Sequence, residues 1–303
     1  MNEAPAPRDC RLAIEGGTLA ALRMGDQDGV PVLALHGWLD NAASFLPLAA
    51  HLRDVDLVAL DLPGHGASDH LPPGAEYSLA GTVHAVLDAA DALGWRRFAV
   101  LGHSMGASIG CLVAAAAPDR VSQLVAIEAL GALSDTEDHT ASRLRESVAA
   151  RRALRGKRLR VFPDVGAAVR ARMQANMLGE TGLDEALVRL LVERGLREVD
   201  GGHAWSSDPR LTVSTPTRMT EGQVRDLLRN LACRVLAVYA EPAQPYFPEP
   251  LRSDRAALPP DMRLVRLPGG HHLHMDQPGV VAGAVGAFLA APPEETDATA
   301  PRG

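Results

Sequence analysis

RFAVLGHSMGASIGCLVAAAAPDR, residues 97–120, decides how this chain folds. Residues 97–104 are an apolar run of strand length. MGASIGCLVAAAAPDR then reads as a helix, stopped by Pro118. Between them GHSMG, Gly102 to Gly106, fits the pattern G-x-S-x-G. A strand that turns at once into a helix forces the residue at the apex into a strained conformation. Glycines on either side let neighbouring backbone approach without a Cβ clash. Ser104 is thereby held up at a helix N-terminus, where free N–H groups favour negative charge. A pentapeptide of small residues alone would be an ordinary turn. The strand before it and the helix after it point instead to an activated serine.

The same alternation extends to both sides. RLAIE and TLAALRM read as an opening strand pair turned at Gly16 and Gly17. PVLALHG (31–37) and VDLVALDLPGHG (55–66) are apolar runs ending in glycine, as expected of strands buried on both faces of a parallel sheet. NAASFLPLAAHL between them reads as a helix, and SLAGTVHAVLDAADALG (78–94) has helical spacing. VSQLVAIEA (121–129), CRVLAVYA (233–240) and DMRLVRLPGG (261–270) read as further strands, followed by a last helix from Pro278 to Leu289. This order of strands and helices predicts a doubly wound, mostly parallel α/β sheet. No comparable apolar strand stands out between Leu133 and Asn230. Val165, Val169, Met173 and Met177 repeat at helical spacing, LDEALVRLLVERG (183–195) ends on glycine, and Thr220 with Gln223 suits a capping box. The expected division is a core of residues 1–130 and 231–290, a helical insertion over 131–230, and a disordered Pro/Ala/acidic tail over 291–303.

Composition narrows the function. A net charge of −7 argues against a nucleic-acid partner. Cys10, Cys111 and Cys233 form no CxxC pair, so neither a disulfide framework nor a cysteine metal site is expected. With no signal-like start and no run of the ~20 apolar residues that span a bilayer, a cytoplasmic chain is expected.

Other motifs cluster at strand ends. HGW, His36 to Trp38, follows one strand. An acyl-transfer site needs two N–H donors for its oxyanion, and the backbone of Trp38 and of Met105 is placed to supply them. DLPGHGASD (61–69) reads as loop-forming, with Asp61 and His65 in turn hydrogen bonds. LPGGHHLHMDQP (267–278) offers three histidines after the last strand. No third clustered ligand is evident for a metal, so one histidine as a general base is preferred, and Asp276 reads as support for the last helix. RLRESVAARRALRGKRLR (143–160) reads as a solvated face, or as an attractor of anionic substrate. Glu128 is a lone carboxylate in the otherwise apolar run LVAIEALGAL (124–133), where an unpaired charge is expensive to bury.

HGWLDNAASF, ALDLPGHGASDHLPPG, GHSMG and LPGGHHLHMDQP occur in an order that resembles the α/β-hydrolase superfamily over essentially the whole ordered length. HGWLDN, the IEAL segment and GLREVDGGHAWSSDPRL make the likeness strongest to its serine hydrolase-like group. The resemblance implies the α/β-hydrolase fold with an inserted helical cap, and a cofactor-independent, metal-free Ser–His–acid hydrolase. It implies Ser104 as nucleophile, His271 as base, and the N–H groups of Trp38 and Met105 as the oxyanion hole. His36, Gly37, His103 and Trp205 are the expected substrate contacts. Many members carry the acid after the strand that follows the cap. Here that turn, YAEPAQPYF (239–247), has Ala243 at the expected position, with Glu241 two places early. Some members carry it one strand earlier, 24 residues beyond the nucleophile, which is Glu128. The expected activity is hydrolysis of a small or medium carboxylic ester. Thioesterase, amidase and C–C bond hydrolase chemistry, or a non-catalytic ligand-binding member, are the alternatives. The expected partner is a small molecule, with the oligomeric state left open.

Overall fold

The computed structural model describes residues 6–156, 159–175 and 183–291. β1 (Arg8–Ile14) and β2 (Gly17–Gly25) form an antiparallel hairpin in which Ile14 lies opposite Gly17. There follow β3 (Val30–Leu35), β4 (Val55–Leu60), β5 (Phe98–His103) and β6 (Val121–Ile127). After an insertion that carries β7 (Leu196–Val199) and β8 (Gly202–Trp205) come β9 (Arg234–Glu241) and β10 (Met262–Pro268). Eight of these strands make one sheet in the order β1-β2-β4-β3-β5-β6-β9-β10. From β4 to β10 every pairing is parallel, whereas β1–β2 and β2–β4 are antiparallel. The doubly wound, mostly parallel sheet expected from the alternation is the one observed. Strand order reverses between β3 and β5, and a crevice at the carboxyl ends of such strands is where open α/β sheets bind ligands.

Alternation along the strands feeds two cores. Leu33, Leu35, Val58, Leu60 and Val100 face helices Leu79–Ala92 and Met105–Ala116. Val32, Ala34, Leu57 and Leu101 face Phe45, Leu48 and helix Pro278–Ala290. Every residue of β4 and of β5 is buried, so both faces demand apolar side chains. Each such leucine contributes about 1.5–3 kcal/mol on leaving water, which accounts for the unbroken apolar runs.

Three local expectations give way. NAASFLPLAAHL is not one helix but a 3₁₀ turn, Ala42–Phe45, followed by the single turn Leu46–Ala49. Asn41 caps the first through its side chain on the Ala43 N–H, and Pro47 has no N–H to carry the ladder onward. Asp276 does not cap the last helix: Gln277 is its N-cap residue, with no side-chain cap bond. The insertion between β6 and β9 is not purely helical. Besides helices Thr140–Leu154, Val165–Gln174, Glu185–Gly195 and Glu221–Arg229 it holds the antiparallel β7–β8 hairpin. Four-residue strands turned at Asp200–Gly201 are too short to show a period of two, but Gly201 at φ +86° is the turn residue such a hairpin needs. Thr220 and Gln223 do form the capping box. Helix Thr140–Leu154 buries only Ser147 and pairs Arg151 with Glu76, which is the solvated reading of the basic stretch. Met177 and the tail from 292 lie outside the described residues. Among those described, no helix is long and apolar enough to cross a membrane.

Loops at the strand ends are pinned from beneath. Asp61, fully buried, accepts from the Ala42 N–H at 2.8 Å, the Ala67 N–H at 2.9 Å and the Arg194 guanidinium at 3.0 Å. A Cβ on Gly66, at φ +51°, would lie 2.3 Å from the Asp61 carboxyl carbon. The His36 ring is wholly inside the protein, with Nδ1 2.7 Å from the Gly37 carbonyl and Nε2 accepting from the Leu62 N–H at 3.0 Å. Burial pushes its pKa down to about 3 and also lowers that of neighbouring His65.

Two stability measurements follow. A Cβ on Gly106 would sit 1.9 Å from the Leu35 carbonyl oxygen, so Gly106→Ala must push helix Met105–Ala116 off β3. A loss of at least ~3 kcal/mol in urea unfolding is expected, and a loss below ~1 kcal/mol would contradict the packing. His36 and His65 are held neutral in the fold but protonate when unfolded, so the unfolded state binds more protons below about pH 6.5. Stability present above that pH should fall as pH is lowered, by up to ~1.4 kcal/mol per pH unit for each histidine. An unfolding free energy unchanged between about pH 7 and pH 5.5 would contradict this.

Candidate active site

Ser104 occupies the turn between β5 and helix Met105–Ala116 with φ +52° and ψ −115°, a conformation non-glycine residues rarely adopt. Its N–H donates to the Ile127 carbonyl at 2.8 Å, and its carbonyl accepts from the Ser108 N–H at 3.1 Å. Both glycines of the motif are dictated by contact rather than by flexibility. A Cβ on Gly102 would lie 2.4 Å from the Ala107 Cα, and one on Gly106 would strike β3. The helix therefore lies close against the sheet, and the serine is fixed at its start.

Glu128 stands one residue beyond β6, also at positive φ (+59°), and is 3% exposed. A carboxylate at such a depth costs several kcal/mol unless it is paired and hydrogen-bonded. Oε1 accepts from the Ala240 N–H at 2.5 Å, and Oε2 lies 3.5 Å from Nδ1 of His271. The Glu128 N–H donates to the Val238 carbonyl at 3.0 Å, so the residue bridges the ends of β6 and β9. His271 is 4% exposed, and its carbonyl lies 2.8 Å from Nε2 of His103. The ring of the residue before Ser104 thus ties the histidine loop to the serine turn. Glu241, the other acid near this corner, is half-exposed and paired with Arg266 at 3.0 Å.

Tyr246 was not singled out by its sequence. Its hydroxyl is 2.6 Å from Nδ1 of His271 and 3.4 Å from Nε2. The segment YAEPAQPYF drew notice for a missing acid, and its tyrosine reaches the histidine instead. Arg252 and Arg255, both 1% exposed, were also missed. Arg252 donates to the Ala240 carbonyl at 2.9 Å, and Arg255 donates to the carbonyls of Leu130 and Ala132 at 2.9 and 3.0 Å. Together they hold the backbone on both sides of the Glu128 carboxylate.

The structure places the four residues expected at the substrate as follows. His36 and His103 are fully buried: His36 uses both ring nitrogens on loop backbone, and His103 turns one to the His271 carbonyl. Trp205 packs edge-on against Phe162 at 5.2 Å, in the small core of the insertion with Val169 and Val188. Gly37 is buried, and a Cβ there would lie 3.0 Å from His103 Nδ1 and 3.1 Å from Asp40 Oδ2. It is a close-approach position within the loop. Trp38 is 41% exposed, and its indole N–H donates to the Leu211 carbonyl of the insertion at 2.9 Å. Asn41 Nδ2 donates to the Leu191 carbonyl at 2.8 Å, and Arg172 donates to the Leu39 carbonyl at 3.0 Å and pairs with buried Asp40. The insertion is therefore bonded to the HGWLDN loop at several points. A groove of about 360 Å³, lined by Asp69, His70, Tyr77 and Asp88 among others, opens elsewhere, and Ser104, Glu128 and His271 do not line it.

The alpha/beta hydrolase fold family matches this chain over residues 30–278. A serine hydrolase-like protein of Mus musculus is 31% identical, across 93% of this chain and 95% of its own. The crystal structure of a hypothetical protein from Pseudomonas aeruginosa PAO1 is 40% identical, superposes with a TM-score of 0.86, and is matched over 93% of this chain and 99% of that one. The thioesterase domain from the curacin biosynthetic pathway, 23% identical with a TM-score of 0.78 over 95% of this chain and all of its own, shares the fold. With the sheet order, the strained serine turn and these likenesses together, the chain belongs to the alpha/beta hydrolase fold family, alongside serine hydrolase-like proteins.

Proposed function

We propose that this protein is a cofactor-independent serine hydrolase that cleaves a small or medium carboxylic ester through an acyl-enzyme on Ser104. One observation carries the reading. A serine at φ +52° between strand and helix is tied through His103 to the loop of His271, whose Nδ1 faces the buried Glu128 carboxylate at 3.5 Å. In this reading Ser104 Oγ attacks the ester carbonyl while Nε2 of His271 takes its proton. The N–H groups of Trp38 and Met105 take up the oxyanion, helped by the positive end of helix Met105–Ala116. The imidazolium, steadied by Glu128, returns the proton to the leaving alkoxide and the alcohol departs. A water deprotonated by the same base then attacks the acyl group, and the acid is released with Ser104 restored.

For Nε2 to accept a proton, the ring proton must sit on Nδ1. Glu128 favours that tautomer, since a carboxylate accepts and cannot donate. The Tyr246 hydroxyl is then an acceptor or an adjustable neighbour of the same N–H, rather than its donor. Residues 131–230 act in this reading as a cap that covers the acyl site and selects substrates. Their bonds to Trp38, Asn41 and Asp40 support it.

A fluorophosphonate probe tests the nucleophile. The wild-type protein should take up one equivalent, and Ser104→Ala none, with ester turnover reduced by several orders of magnitude. Labelling that survives the substitution puts the nucleophile elsewhere. A wild-type protein that is neither labelled nor active on ester, thioester, amide or diketone substrates is a ligand-binding member instead. Within that panel the ester should be turned over fastest, and a thioester preference would redirect the substrate class without moving the nucleophile.

A further inference from the structure

Behind His271, three segments distant in sequence bring donor atoms together. Asp40 comes from the loop after β3, His103 from the end of β5, and His272 from the loop after β10. Their donor atoms all lie within 4.8 Å of one another, with His272 Nε2 3.1 Å and His103 Nδ1 4.0 Å from the same oxygen, Asp40 Oδ2. We propose that Asp40, His103 and His272 form a binding site for a zinc-class divalent transition cation.

His103 carries the argument. Its Nε2 lies 2.8 Å from the His271 carbonyl, which can only accept, so Nε2 bears the ring proton and Nδ1 bears a lone pair. Nδ1 therefore presents a lone pair to a carboxylate, and among the described residues it has no hydrogen-bond partner although it is buried. His272 Nε2 is hydrogen-bonded to that Asp40 oxygen at 3.1 Å, whereas among the described residues nothing donates to Nδ1 of His103, so a cation at this point would satisfy the buried lone pair and use the other two donors as well. A metal-binding histidine with its second nitrogen donating to a backbone carbonyl is also the usual orientation of such a ligand.

The surroundings fit an ion. Gly37 keeps the space between the donors clear, since a Cβ there would meet His103 Nδ1 at 3.0 Å and Asp40 Oδ2 at 3.1 Å. Two imidazoles and one carboxylate are donors that suit zinc and its neighbours. Donors about 2.0–2.1 Å from a tetrahedral ion lie roughly 3.3 Å apart, so separations that now reach up to 4.8 Å would close by up to about 1.5 Å, with His272 partly exposed. Arg172 on the other Asp40 oxygen offsets part of the attraction, so a dissociation constant on the order of micromolar is expected. His103 precedes Ser104 and His272 follows His271, so a bound ion would join the serine turn to the histidine loop.

Metal titration decides this without any substrate, and so stands apart from the hydrolase reading. Tag-free, chelator-stripped protein is titrated with Zn²⁺ against a chromophoric chelator, and with Co²⁺ while its absorption is followed. The wild type should bind one equivalent of Zn²⁺ and give a low-symmetry Co²⁺ spectrum. His272→Gln and Asp40→Asn should each weaken Zn²⁺ binding at least tenfold and abolish that spectrum, whereas His203→Gln, in the β7–β8 hairpin, should change neither. His272 is partly exposed, so its variant serves even if Asp40→Asn fails to fold. Zn²⁺ affinity within twofold of wild type in His272→Gln, or no wild-type binding at about a hundred times the expected constant, would overturn the site.

Discussion

A single charge placed among apolar strands constrains much of this corner of the molecule. Glu128 ends β6 with 3% of its surface exposed, where an unpartnered carboxylate would cost several kcal/mol. Its two oxygens are used differently. One takes the Ala240 N–H, which locks β6 to β9, and the other faces Nδ1 of His271. Arg252 and Arg255 hold the flanking carbonyls from behind, so the carboxylate is fixed by backbone on both strands. The carboxylate rises from β6 yet bonds to the end of β9, the strand after which many family members carry their acid.

Strain and close packing complete the arrangement. Ser104 and Glu128 both have positive φ, on neighbouring strand ends, and neither is glycine. Such residues cost on the order of 1–3 kcal/mol each and persist only where surrounding structure fixes them. Here the fixing is visible: Gly102 and Gly106 let the helix lie against the sheet, and the Ser104 N–H is bound by Ile127 at the end of β6. Both turns stand at the ends of strands whose two faces are buried in the apolar cores on either side of the sheet.

What could be read from the sequence divides along the range of the interactions. β4, β5 and helix Met105–Ala116 were legible because burial on both faces writes a continuous apolar run into the chain, and Glu128 was legible because it interrupts one. The β7–β8 hairpin was not, since four-residue strands leave no period, and neither was the break at Pro47 in a stretch that otherwise looks helical. His36 and His103 sit in motifs beside the serine and so suggested substrate contact. Side chains alternate sides along an extended segment, and theirs turn inward. Asp40, Tyr246 and the two buried arginines act through contacts distant in sequence, 12 residues for Arg252 with Ala240, 25 for Tyr246 with His271 and 125 for Arg255 with Leu130, which no local pattern records. The cluster of Asp40, His103 and His272 was hidden for the same reason: the HHLH run holds only one of its donors, His272, and Asp40 and His103 come from distant segments.

The central claim is that Glu128, rather than Glu241, orients the histidine that activates Ser104. Steady-state kinetics of Glu128→Gln and Glu241→Gln on one chromogenic ester test it most directly. Glutamine keeps an acceptor for the Ala240 N–H but cannot hold the imidazolium, so Glu128→Gln should stay folded and lose about 10²–10⁴-fold in kcat. Glu241→Gln, which gives up only ion pairs near the surface, should remain within about tenfold of the parent. A Glu128→Gln enzyme with near-parental kcat beside an inactive Glu241→Gln enzyme would contradict the account.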